Sequence, residues 1–418
     1  MTPTALVELA TGTRHALVRP VAAVPPSAAQ VAGVHHASTP LDDDPARSAG
    51  GGVARDPALA ATAAVAEALE RWAASVAHLP LRRTADVEAG RRLGLDAFSL
   101  HDDAQRARPD FPHARAYPDD PWLTEAFDLV TNEPVWVPAA LVSLTDEHGA
   151  LATSSGLAAD PLVTRALLRA AQELVERDAY VTTWLHQLGG REVAAPALES
   201  EVAPLGGEVR VFDCTPAYSP HPVALVTGTL PLAGAPRHSL GVACRATWDA
   251  AVERAYLEML QGTVFVGHRL AAHPEVVGLP ADAVRGFDEH ALYYSANPGR
   301  WAEVPLLRHA TTAPAPAPAP GTTDGPGDDD PAGALHHLVT SLAAAGVRLA
   351  YRDLTSDDGH QIGLRVVRVL SPDLAPLHHD HRWPFLGGRT AEVAWRYPDA
   401  AARRGGRSFP SPHPHALG

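Results

Sequence analysis

The sequence contains no lysine, so all 34 residues of the Lys and Arg class are arginine. That absence excludes a Walker-type phosphate loop, which needs its lysine, and Schiff-base chemistry, which needs an amine. Cysteine is nearly absent too. Cys214 and Cys244 are too few for a disulfide framework, lack zinc-ligand spacing, and read as buried small hydrophobes. No stretch approaches the roughly 20 apolar residues of a membrane span. The N-terminus MTPTALVELATGTRHALVRP has no basic region leading into an apolar core and a cleavage site, so the expected location is cytoplasmic. A net charge of −14, spread along the chain, argues against nucleic acid, whose phosphates need a basic face.

What is present is 418 residues with a normal hydrophobic share of 46%, enough for a sizeable core. Thr153 to Leu185 organises the rest: a small-residue turn, Ser154-Ser155-Gly156, feeds a helix expected to start near Asp160-Pro161, where proline suits the first turn. Leu162, Ala166, Leu167, Ala170, Ala171 and Leu174 form an apolar face. Glu173, Glu176 and Arg177 gather toward the C-terminal end as surface neighbours. The device recurs. Glu67, Glu70 and Arg71 lie in the Ala- and Leu-rich stretch Leu59 to Ser75, and Glu258 and Gln261 in Thr247 to Gln261. Three such helices are expected to pack with their acids turned inward. Converged carboxylates repel unless a cation sits among them, and hard oxygen ligands suit Mg²⁺, which commonly arrives with nucleotide phosphates.

Around these helices the chain mixes strands and helices without regular alternation, so the fold class expected is α+β rather than doubly wound. Residues 1 to about 45 read as one or two hairpins, with a solvated turn at Pro40 to Pro45. Ser48 to Asp56, SAGGGVARD, reads as a glycine-rich loop whose N–H groups could approach phosphate. EVRVFDCT and PVALVTGTL alternate as strands, HSLGVACR reads as a glycine-containing turn, and Trp122 and Trp136 read as core or edge packing. The Ala-Pro repeat of residues 311–333 is a linker or insertion. It separates a core, 1–310, from a C-terminal α+β part, 334–418, whose tail carries Pro410, Pro412 and Pro414. His378, His379 and His381 have no ligand pair at helical spacing and are not read as a metal site, nor are His336 and His337.

The three acidic segments resemble the YcaO family, ATP-dependent enzymes that modify peptide backbones. Glu67-x-x-Glu70-Arg71 is similar to its first motif, Glu173-x-x-x-Arg177 to its second and Glu258-x-x-Gln261 to its third, and SSGLAADPLVTRALLRAAQELVERDA is the most specific match. PWLTEAFDLVTNEPVWVPAALVSL, the YRDLTSDDGHQIGLRVVRVLSPDLAPLHH region and FPSPHP extend the resemblance over nearly the whole chain. It implies antiparallel sheets with packed helices around a central nucleotide site. Glu67, Glu70, Glu173, Glu176 and Glu258 are then the candidates for Mg²⁺ and ATP, with Arg71, Arg177, Ser155 and Gln261 as further nucleotide contacts. Azoline-forming members have a proline-rich C-terminus that reaches the active site, which makes Pro410, Pro412 and Pro414 candidate catalytic positions, although His415-Ala416-Leu417-Gly418 extend beyond them. The chain departs from the family in its glycine stretch, where lysine is common and Val53 or Ala54 stands, and before the first glutamate, where serine is common and Ala63 or Ala64 stands. Arg55 and Thr62 are the nearest replacements.

The activity implied is an azoline-forming cyclodehydratase. A Cys, Ser or Thr side chain of a ribosomal precursor peptide attacks the preceding carbonyl, the oxyanion takes the γ-phosphoryl of ATP, and phosphate leaves to give a thiazoline or oxazoline. Thioamide or macrocyclic amidine formation is the alternative within the family, and a non-catalytic scaffold that binds a peptide or partner is the alternative outside enzymology. Because family-like sequence begins almost at once, a separate ThiF-like, leader-binding partner protein is expected, with a homodimer also open.

Overall fold

The computed structural model describes residues 3–12, 16–24, 31–40, 48–145, 151–232, 234–316 and 330–418. Residues 41–45 of the acidic turn expected at Pro40 to Pro45, and most of the Ala-Pro repeat, lie outside them. Six helices of eight or more residues stand among the described residues: α1 (Pro3–Ala10), α2 (Pro57–Val76), α3 (Val163–Leu185), α4 (Trp248–Ala272), α5 (Phe287–Ala296) and α6 (Pro331–Ala344).

Three sheets carry these helices, in the α+β arrangement expected. The first contains β1 (Ala22–Ala23), β2 (His35–Pro40) and β3 (Ser48–Ala54) in that order. The second begins with β4 (Leu81–Arg83), β5 (Trp122–Asp128), β6 (Pro134–Pro138) and β7 (Leu157–Asp160). The third takes β8 (Arg191–Val193), β9 (Glu208–Asp213), β10 (Val223–Leu232), β11 (Ala235–Cys244) and β12 (Thr311–Thr312), ordered β11-β10-β9-β8-β12, antiparallel except for the β8-β12 pair. The chain then returns to the second sheet with β13 (Ala350–Asp353) and β14 (Arg365–Leu370), so that sheet reads β4-β5-β13-β14-β7 with β6 also paired to β5. The C-terminal part thus supplies central strands to a sheet begun before residue 160.

Three local expectations give way. TALVEL is helix α1, not a hairpin strand, because Leu6 and Ala10, four residues apart, are buried with Val65, Leu69 and Ala73 of α2. The glycine-rich stretch is strand β3, not a loop. A Cβ at Gly50 would lie 2.2 Å from the Ala64 carbonyl oxygen and one at Gly52 2.0 Å from that of Ala60, so glycine is needed because the strand lies directly on α2. HSLGVAC likewise belongs to β11, where a Cβ at Gly241 would stand 2.1 Å from the Ala255 oxygen of α4.

The helix starts follow from local chemistry. The Asp56 carboxylate accepts from the Ala58 and Leu59 N–H groups at 2.7 and 3.1 Å, with Pro57 at the first helical position of α2. Thr247 caps α4. Helix α3 starts at Val163, slightly later than expected, because Asp160 ends β7 and its side chain accepts from the Leu162 N–H at 2.8 Å. Seventeen of the 23 residues of α3 are buried, which makes it the central helix and not an amphipathic cover. Trp136 is buried, and the partly exposed Trp122 stands opposite Arg83 of β4, beneath its guanidinium. Both cysteines are buried and free, and burial pushes the Cys214 thiol up to about 12. No described helix is long and apolar enough to cross a membrane.

Candidate functional site

Helices α2, α3 and α4 bring their acids to one place, and β3 is the strand between two of them. The Gly51 N–H donates to Glu67 Oε2 at 2.6 Å, and a Cβ on Gly51 would lie 2.5 Å from Gln261 Nε2. Gly50 and Gly52 face α2 while Gly51 faces α4, so strand alternation lets one glycine run touch both helices. Arg71 Nη2 lies 2.6 Å from Glu67 Oε1, and Arg177 Nη2 3.2 Å from Glu173 Oε1. Arg177 Nη1 is 3.3 Å from Glu176 Oε1 but misaligned, and makes no hydrogen bond there. Glu176 Oε2 also accepts from the Cys244 N–H of β11 at 3.3 Å, and Arg254 Nη2 lies 3.0 Å from Glu258 Oε1.

The electrostatics link these acids into one group. Burial, then repulsion from Glu173 and Glu67, holds the Glu70 carboxyl well above the usual carboxylate range. Burial raises Glu173 against the pull of Arg177, and Glu258 adds to the rise. Glu176 is pushed up to about 8 by burial, against the pull of Arg177, and Glu258 and Glu173 add to the rise. Arg177 loses solvation, yet Glu176, Glu173 and Glu258 raise it above its ordinary value. The five carboxylates therefore feel one another in sequence across three helices, although Glu67 and Glu258 lie far apart in the chain.

Two arginines that sequence reading did not single out complete the setting. Arg368 of β14 is buried, donates to the Leu141 and Thr153 carbonyls, and faces Glu173 and Glu70; burial lowers it to about 10. Arg245, just after β11, is lowered to about 10 by burial and by Arg169 and Arg254, with Glu176 and Glu258 opposing. Arg368 comes from within β14 and Arg245 from the turn after β11, both outside the acidic helices, so no helical spacing signals them. Neither expected replacement serves. Arg55 is held by Glu253 at 2.8 Å and by Glu201 at 3.1 Å, and Thr62 Oγ1 donates to the Ala58 carbonyl of its own helix.

Ser155 is buried in the turn before β7, its N–H donating to Thr153 Oγ1 at 3.3 Å, and it lines a cleft with Phe98, Ser99, Leu141, Leu174 and Arg368 beside the acids. The proline tail is seated along α3 and α5. The Trp184 indole donates to the His413 carbonyl at 3.0 Å, the Tyr294 hydroxyl to the Pro414 carbonyl at 2.7 Å, and the Ala416 N–H to Tyr180 Oη at 2.9 Å, one turn from Arg177. Pro410, Pro412 and Pro414 shape this path; among the described contacts none joins them to the carboxylates.

Residues 51–375 match the model of the YcaO cyclodehydratase family, described as ATP- and Mg²⁺-binding. No curated protein matches the chain. Among solved structures it is similar to a heterocyclase in complex with substrate and cofactor (20% identity, TM-score 0.70), covering 94% of this chain and 55% of that one. It thus spans about half the length of that heterocyclase. It is also similar to YcaO from Methanopyrus kandleri bound with AMPPCP and Mg²⁺ (18% identity, TM-score 0.61, 90% and 91% covered). A chain of the E. coli microcin synthetase McbBCD complex is a third likeness (12% identity, TM-score 0.62, 96% and 98% covered). With the fold, three converging acidic helices and a family match over most of its length, the chain belongs to the YcaO cyclodehydratase family, whose members bind ATP and Mg²⁺.

Proposed function

We propose that the chain is an ATP- and Mg²⁺-dependent cyclodehydratase that converts Cys, Ser or Thr residues of a ribosomal precursor peptide to thiazolines or oxazolines. The observation that carries this reading is the convergence of Glu67, Glu70, Glu173, Glu176 and Glu258, three of which are pushed up by burial with too little positive charge to offset it. A divalent ion fits that deficit, and an all-oxygen donor set suits Mg²⁺. When bound, Mg²⁺–ATP supplies the γ-phosphoryl group that turns the peptide oxygen into a leaving group.

The chain's own residues contribute position and charge, which is most of what phosphoryl transfer asks of a protein. Gly51 N–H and Arg71 fix Glu67, and Cys244 N–H fixes Glu176. Arg177 keeps Nη1 free of a hydrogen bond in the midst of the acids and is our choice, with Arg71, for a phosphate contact. Arg245 donates to the Cys244 carbonyl and takes the place of the missing lysine as a cation near Glu176 and Glu258. Gln261 directs its amide toward Gly51 and serves as a neutral hydrogen-bonding contact to nucleotide or metal-bound water.

A separate ThiF-like protein delivers the precursor in this reading, which the likeness to a chain of a multi-component synthetase supports. The test combines the chain, ATP, Mg²⁺, a candidate precursor and such a partner, followed by mass spectrometry. Loss of one water per modified residue is expected. Exchange of oxygen for sulfur would instead assign a thioamide product, and equal activity with and without the partner would remove the partner from the account.

A further inference from the structure

A second group of convergent side chains lies away from the carboxylates, where α5, the loop after β14 and the C-terminal tail meet. His290 of α5, His378 of the loop and His415 of the tail are all buried, with one ring nitrogen from each within 4.8 Å of the others. His290 and His415 are 125 residues apart in sequence, and His378 and His415 are 37 apart, so neither local spacing nor the His378-His379-His381 run reveals the set.

Hydrogen bonding fixes which nitrogen of each tail-facing ring is free. His290 Nδ1 lies 2.9 Å from the His415 carbonyl oxygen, and His415 Nε2 lies 2.8 Å from that of His378. A carbonyl only accepts, so each of these nitrogens carries its proton and the other ring nitrogen presents a lone pair. Those opposite nitrogens, His290 Nε2 and His415 Nδ1, are buried without a partner, as is His378 Nδ1. Three orphaned imidazole nitrogens in one buried place form an unusual expense unless something accepts their lone pairs. A ring held through one N–H to a backbone carbonyl, with its other nitrogen free, is the usual arrangement of a metal-binding histidine.

We propose that His290, His378 and His415 form a site for one transition-metal ion of the Zn²⁺ class, distinct from the Mg²⁺ site, that fastens the C-terminal tail to α5 and the loop after β14. Imidazole donors select Zn²⁺, Co²⁺ or Ni²⁺ over the oxygen-seeking Mg²⁺. The rings of His290 and His415 are parallel with centroids 3.5 Å apart, so binding tilts them about their N–H···O bonds until their lone pairs converge. His381, whose ring centroid is 6.3 Å from that of His290, stands outside the set with its Nε2 bonded to the Pro412 carbonyl. The consequence is a tail held where Ala416 N–H meets Tyr180, one turn from Arg177.

The test uses the full chain, stripped with a chelator and titrated with Co²⁺, read by visible absorption and by bound metal after desalting. Two variants separate ligation from packing. In His290→Asn the amide nitrogen approximates Nδ1 and keeps the bond to the His415 carbonyl while Nε2 is lost; in His415→Gln the amide approximates Nε2 and keeps the bond to the His378 carbonyl while Nδ1 is lost. The wild-type chain is expected to bind one equivalent with the strong visible absorption of low-coordinate Co²⁺, displaced by Zn²⁺ and unaffected by Mg²⁺, and to gain thermal stability from Zn²⁺. Both variants are expected to fold and to bind at least ~10-fold more weakly. Absence of a tight equivalent in the wild type, or equal binding by wild type and both variants through other histidines, would overturn the site.

Discussion

At the scale of single residues, the account rests on carboxylates held where they are uncomfortable without a cation. Glu176 titrates at about 8 when folded against an ordinary carboxyl value of 4.5, so the folded state binds the proton more tightly than the unfolded state. The nucleotide-free protein therefore has this contribution in full below about pH 4.5 and loses it as pH rises toward 8. Glu176→Gln is expected to flatten that fall and to raise the nucleotide-free melting temperature at pH 8, by up to a few kcal/mol of stability, while weakening Mg²⁺–ATP binding. Thermal melts from pH 5 to pH 9, with and without Mg²⁺–ATP, check both. Asp178, two positions along the same helix, is instead matched to a cation. It is fully buried against Arg396 at 2.7 Å and also accepts from the Tyr218 hydroxyl and the Ala375 N–H. Asp178→Asn leaves a buried guanidinium short of its counter-charge and is expected to cost ~3–5 kcal/mol in denaturant unfolding.

At the scale of elements, two strand glycines set the approach of two helices. Gly52 on α2 and Gly241 on α4 both sit where a methyl group would strike a helical carbonyl. Gly52→Ala is expected to push β3 off α2, to cost ~1–3 kcal/mol by overpacking, and to weaken nucleotide binding because Gly51 moves with it. Denaturant unfolding and ATP titration of the same variant measure the two effects. This is also where sequence reading met its boundary. The acidic helices were legible because apolar spacing marks a helix face and the acids interrupt it. The glycine run was not, since glycine is demanded here by a neighbouring helix that the local sequence does not specify. Arg368 and Arg245 were hidden for a related reason: one reaches the acids from within β14 and the other from just after β11, and the register of each strand depends on its whole sheet. The turn at Ser155 and the helix after it were placed to within a few residues, the start falling at Val163 because Asp160 still belongs to the preceding strand.

At the scale of the molecule, the chain closes on itself twice: β13 and β14 return to the second sheet between β5 and β7, and the tail returns to α3 and α5. Proline spacing made a stiff tail legible, but not its berth, which is built from Trp184, Tyr180 and Tyr294. Deleting residues 410–418 strands the buried Tyr180 and Tyr294 hydroxyls and the Trp184 N–H, at ~1–3 kcal/mol each, so the truncated chain is expected to unfold at distinctly lower denaturant concentration. The central claim, however, is that three distant helices share one divalent ion and its nucleotide. Calorimetric titration of the chain and of Glu258→Gln with ATP, with and without Mg²⁺, tests it most directly. The account predicts Mg²⁺-dependent binding by the wild-type chain that weakens at least ~10-fold, or ~1.4 kcal/mol, in a folded Glu258→Gln variant. Equal binding by the two proteins, or none by either, would contradict it.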